Sequence, residues 1–113
     1  MNFFRNAREV QAVAAGTVIC RKGDLGDVMY AIVEGYVEVA TPNEVLNTLG
    51  PGEFFGEMAL IDRSPRSATA RAKTDCRLTI LNEKQFLYMV QTYPLFALEM
   101  MRVLAVRLRE RLE

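Results

Sequence analysis

The sequence contains no histidine. That absence removes the usual general base near neutral pH and the commonest ligand of catalytic zinc, non-haem iron and haem. A metal-dependent jelly-roll enzyme is therefore a poor reading, and neither a resident cofactor nor a catalytic residue is expected. Cysteine is almost as scarce. Cys20 and Cys76 stand far apart with no CxxC spacing, too few thiolates for an iron–sulfur cluster and best read as two reduced, partly buried thiols. Neither sign of charge dominates, since 14 Lys and Arg balance 14 Asp and Glu. No net field draws the chain onto nucleic acid or an acidic membrane, and no direct nucleic-acid partner is expected. No stretch approaches the roughly 20 apolar residues that span a bilayer, and the first residues carry no signal-peptide core. The expectation is a chain that does not insert into the membrane and that works in the cytoplasm, or on the cytoplasmic side of a larger membrane protein.

What remains is an ordinary globular composition, 50% hydrophobic and 25% charged over 113 residues. It fits one domain, 1–113, of modest stability. From Met1 to about Ala12 the residues Phe3, Phe4 and Val10 are loosely spaced as on a short helix, so 1–15 reads as a helical segment. The period then changes. Thr17 to Cys20, Val28 to Val33, Tyr36 to Ala40, Val45 to Leu49, Ser67 to Ala72 and Arg77 to Leu81 read as strands. Glu34-Gly35, Thr41-Pro42-Asn43 and Gly50-Pro51-Gly52 part them as turns. Short strands with frequent glycine turns predict a mainly β fold with flanking helices, an antiparallel barrel or jelly roll over 16–81. Asn82 is an N-cap candidate for a helix over Glu83 to Thr92. Pro94 can open a second helix as its first residue, running to Glu113. Phe96, Met100, Val103, Leu104 and Leu108 mark the apolar face of that helix, and Leu98, Met101 and Val106 widen it.

The chemistry concentrates in 54–68. Gly56 ends a turn, and Glu57 to Ile61 suffice for about one helical turn. A helix start directs backbone N–H groups outward, which suits an anion, and Gly56 and Ala59 let a ligand approach the backbone. Arg66 follows Pro65 at the mouth of the next strand, where its guanidinium would suit a phosphate, and Ser67 adds a hydroxyl. Taken singly, Arg66 could be a solvated surface residue, and Glu57 could merely complement a helix N-terminus. Together, between glycine turns and a strand, they read as one anion-binding unit.

Phe55-Gly56-Glu57-Met58-Ala59-Leu60 followed by Pro65-Arg66-Ser67-Ala68-Thr69 closely resembles the phosphate-binding cassette of cyclic-nucleotide-binding domains. These occur in the catabolite activator protein, the protein kinase A regulatory subunit and cyclic-nucleotide-gated channels. Gly16-Thr17-Val18-Ile19, Gly23-Asp24, Gly26-Asp27-Val28-Met29-Tyr30, Glu34-Gly35 and Leu49-Gly50-Pro51-Gly52 are similar to the family's strands and turns before the cassette. The wording around Val39-Ala40-Thr41-Pro42-Asn43 is nearest to bacterial cyclic-nucleotide-gated potassium channels. The resemblance implies an antiparallel β-roll, a double-stranded jelly-roll-like barrel, with a short cassette helix and two C-terminal helices. It implies that Glu57 accepts a hydrogen bond from the ribose 2′-hydroxyl and that Arg66 pairs with the phosphate oxygens. Amides around Gly56, Met58 and Ala59, with Ser67 and Ala68, would complete the cradle, and Val39 and Met58 would flank the purine.

In that family a threonine at the position of Ser67 favours cGMP, so serine implies cAMP as the preferred ligand, with cGMP a weaker competitor. The last helix is implied as a lid over the base, with Arg107 reaching the purine; an exposed arginine among Arg102, Arg109 and Arg111 is the alternative. The function expected is a cAMP-preferring sensor that signals occupancy by moving its C-terminal helix. Its output would reside in a further domain, a channel or a homodimer formed through that helix. The rival is a nucleotide-free dimerisation or interaction domain of the same fold, a scaffold with no need of Glu57 and Arg66.

Overall fold

In the computed structural model, residues 9–112 are described, with side chains through 110. The chain divides into two units, one reaching to Glu83 and one from Lys84 onward.

The first unit is built from eight strands and one short helix. β1 (Gln11–Val13), β8 (Cys76–Asn82), β3 (Val28–Glu34) and β6 (Phe54–Phe55) form one four-stranded sheet in that order. β2 (Val18–Cys20), β7 (Thr69–Ala72), β4 (Val37–Thr41) and β5 (Glu44–Leu49) form the other, and every pairing is antiparallel. Alternation explains where the core sits. Ile32, Leu78 and Phe55 from the first sheet meet Val37, Leu49, Ala70 and Ala72 from the second in one buried cluster. The core therefore lies between the sheets, as in the β-roll that the resemblance implied.

Six of the strands lie where the β-branched runs place them, with ends displaced by a residue or two. Two were not expected. Gln11–Val13 is a strand, although Met1 to about Ala12 reads as helical and most of that segment lies outside the described residues. The tertiary context decides it: β8 offers an edge, and Gln11, Ala12 and Val13 pair with Leu78, Arg77 and Cys76. Such pairing overrides a weak local helical spacing. Phe54–Phe55 pairs with Ala31 and Tyr30 of β3; two residues are too few to show a period.

α1 (Met58–Ile61) is the single helical turn predicted after Gly56, and it packs on β3. It ends at Asp62, whose carboxylate accepts the Ser64 N–H at 3.0 Å. The hydroxyl and backbone N–H of Ser64 together hold the Asp62 carboxyl below its ordinary range.

The second unit holds α2, which starts at Glu83 directly after Asn82 and runs to Thr92, and α3 (Pro94–Leu112). Pro94 opens α3, and Phe86 meets Phe96 edge to face at 5.9 Å. Phe96 and Met100 are buried, and Val103 and Leu104 are half-buried. Leu108, assigned to the same apolar face, is exposed, as are Leu98, Met101 and Val106. Leu98 and Met101 lie beside the buried Phe96 and Met100 but off a covered face narrower than expected, whereas Val106 and Leu108 lie beyond it, because helical spacing alone does not determine how far the covering extends. Among the described residues, no helix is long and apolar enough to cross a membrane.

Candidate functional site

The candidate site is organised around Arg66. A solvated surface arginine was the alternative reading, and the structure decides against it, because Arg66 is 8% exposed. Its backbone is tied to the loop before β3, where the Arg66 N–H donates to Asp24 O at 2.8 Å and Arg66 O accepts the Gly23 N–H at 2.7 Å. The guanidinium is tied as well. Nη1 donates to Gly56 O and Nη2 to Val28 O, both at 2.9 Å. The guanidinium carbon lies 5.5 Å from the centroid of the Tyr30 ring. Free Cys20, half-buried on β2 opposite Ala70, lies within the electrostatic reach of Arg66. Burial raises the Cys20 thiol above its ordinary 9.0, and the nearby Arg66 charge pulls the other way.

Two glycines make the seat possible. Gly56 has φ +78°, a backbone region that side chains disfavour, and this bend presents its carbonyl to Arg66. A Cβ at Gly26 would lie 2.3 Å from Nη2, so any side chain there would displace the guanidinium. This is the role of Gly26-Asp27-Val28-Met29-Tyr30 that sequence reading missed. The residues are visible as a motif, but their partner is far along the chain.

Among the described residues the Arg66 guanidinium has no carboxylate partner. Withdrawing a charge from water costs several kcal/mol unless it is compensated. Here the compensation comes from two carbonyl oxygens and an aromatic face. An arginine carries five N–H donors, so others remain for an anion.

The structure brings Gly56, Glu57, Ala59 and Arg66 into one neighbourhood. Glu57 is 7% exposed and precedes α1, whose first turn it supports by accepting the Leu60 and Ile61 amides through its backbone carbonyl. The Ala59 N–H donates to Gly56 O over a long 3.3 Å, and the Ala59 side chain is buried. Met58 is 39% exposed at the head of α1. Ser67 is exposed, and Ala68 is buried one residue before β7. Val39 lies on the core-facing side of β4, beside Ala70 in register and packed against the buried cluster. Arg107 lies on α3 in the second unit, half-buried.

The cluster combines a buried cation, a buried carboxylate residue and a bent, close-approach backbone, groups that can together receive a small anion with a polar body. The chain is 51% identical over 88 residues to a cyclic nucleotide-gated potassium channel of Mesorhizobium japonicum, covering 78% of this chain and 24% of the channel. It is 39% identical over 100 residues to the cyclic AMP receptor protein of Thermus thermophilus, covering 84% of this chain and 46% of that protein. The solved structure of the Thermus thermophilus catabolite activator protein superposes with a TM-score of 0.80 at 36% identity, over 90% of this chain and 50% of that one. The chain thus spans about a quarter to a half of the length of these relatives. Residues 10–93 match the family model of the cyclic nucleotide-binding domain, and the chain belongs to that family.

Proposed function

We propose that this chain is a cAMP-preferring sensor domain that catalyses nothing. The observation that carries the reading is the buried Arg66, held open by two backbone carbonyls and lacking a carboxylate partner among the described residues. Arg66 pairs with the cyclic phosphate, and Glu57 accepts a hydrogen bond from the ribose 2′-hydroxyl. The amides around Gly56, Met58 and Ala59, with Ser67 and Ala68, line the rest of the cradle, and Val39 and Met58 flank the purine. Hydrogen bonds to charged groups contribute roughly 1.5–3 kcal/mol each. A few of them are enough for micromolar binding after the cost of association. Serine rather than threonine at position 67, together with a relative named for cyclic AMP, supports cAMP over cGMP.

Occupancy is signalled by α3, with Arg107 reaching the purine as a lid, so that both units act as one domain. A ligand shifts such an equilibrium only through differential affinity, and moving it from mostly open to mostly closed takes about 5.5 kcal/mol. The output we favour is of channel type, because the channel relative is the more similar in sequence of the two relatives. Calorimetric titration with cAMP and cGMP tests the reading. The expected result is micromolar cAMP binding with cGMP weaker; no heat from either at saturation would overturn it.

The exposed Leu98, Met101, Val106 and Leu108 of α3 favour a second reading, a nucleotide-free dimerisation domain. Thermal unfolding with added cAMP separates the two. A ligand that binds only the folded state stabilises it by about 2.7 kcal/mol at one hundred times its dissociation constant, whereas a nucleotide-free scaffold unfolds at an unchanged temperature.

A further inference from the structure

The carbonyls of Gly56 and Val28 bind two nitrogens of the Arg66 guanidinium. Two such bonds define a line and leave the plane able to tilt about it. Resisting that tilt requires contact with the face of the group, and the Tyr30 ring, 5.5 Å from the guanidinium carbon, supplies it. Tyr30 is itself fixed. Its neighbour across the strands is Phe55, stacked on it at 5.0 Å and 18°. The tight approach of Gly26 leaves the guanidinium little freedom to escape. The ring also compensates the charge, because an aromatic face attracts a cation most strongly where water is excluded.

We propose that Tyr30 is a positioning residue for Arg66: backed by Phe55, its ring sets the plane of the guanidinium before the ligand arrives. The claim rests on Arg66 as the phosphate partner, and it extends that reading to a residue outside the set assigned to the ligand. Preorganised donors bind more tightly because less order is lost on association.

The first test compares Tyr30→Phe with Tyr30→Leu by calorimetry with cAMP. The ring alone is needed, so Tyr30→Phe keeps affinity within about twofold, while Tyr30→Leu loses about fivefold to thirtyfold. Equal losses in the two variants, or parent-like affinity in Tyr30→Leu, overturn the proposal. Should Tyr30→Leu fail to fold, Phe at position 30 is replaced by its difluoro and pentafluoro forms, which keep the ring's shape while weakening its negative face. Affinity then falls stepwise at a constant melting temperature; a flat series overturns the proposal. A third readout needs no ligand. The Arg66 Nε–H proton resonance in the free protein carries a ring-current shift, kept in Tyr30→Phe and lost in Tyr30→Leu. An unshifted resonance in the parent overturns the positioning role. Failure of the parent to bind either nucleotide sinks the functional reading instead, and the ligand-free resonance still decides the role of Tyr30.

Discussion

The two units present their side chains under opposite kinds of control. In the first, Arg66 is held mostly by backbone, Gly23 and Asp24 at its main chain, Gly56 and Val28 at its nitrogens and Gly26 against Nη2, with the Tyr30 ring over its face. In the second, α3 buries Phe96 and Met100 yet leaves Leu98, Met101, Val106 and Leu108 exposed. The first arrangement fixes its cation before any anion arrives, as the proposed recognition requires. The second leaves apolar side chains uncommitted, as suits an element whose contacts change with the state of the protein. In the proposed sensor the stiff part recognises and the loosely committed part reports.

Substitutions can break that contrast. Arg66→Ala should weaken cAMP binding by roughly 2–5 kcal/mol, the usual loss when one partner of a buried charge pair is removed. Near-normal affinity by calorimetry would dismiss the stiff unit as the recognition element. Within α3, Met100→Ala should cost about 2–5 kcal/mol of stability in urea unfolding, whereas Leu108→Ala should stay within about 0.5 kcal/mol. Similar losses would show that α3 is committed along its whole length. Glu57→Ala should weaken cAMP by roughly 1.5–3 kcal/mol, and the same variant should discriminate less against a 2′-deoxy analogue, which calorimetry with both nucleotides reads directly.

The smallest effect is on pH dependence. Burial raises the Cys20 thiol above its ordinary 9.0, so the folded chain keeps a proton that the unfolded chain releases. The stability this contributes is whole below pH 9 and is lost as pH rises through the higher folded value. Cys20→Ser should therefore flatten the alkaline decline of the urea midpoint. An unchanged slope would remove Cys20 from the burial that surrounds Arg66.

The parts legible in the sequence are those written in contiguous residues. Gly56, the single turn of α1, the Pro65-Arg66 step and the Pro94 helix start are local backbone events, and each lies where its residues predict. β1 and β6 were not legible, because each is created by the partner strand that pairs with it. The seat of Arg66 was half legible: both segments stood out, but that Val28 and Tyr30 face a guanidinium far along the chain is a fact of topology. The exposure of Leu108 was illegible for a related reason, since a helical wheel records direction and not what lies in that direction.

The most direct test of the central claim is a crystal structure of the chain with cAMP. The account predicts Arg66 guanidinium nitrogens about 2.7–2.9 Å from phosphate oxygens, the range of charge-assisted hydrogen bonds, with the Val28 and Gly56 carbonyl contacts retained. A bound nucleotide whose phosphate lies away from Arg66 would contradict it.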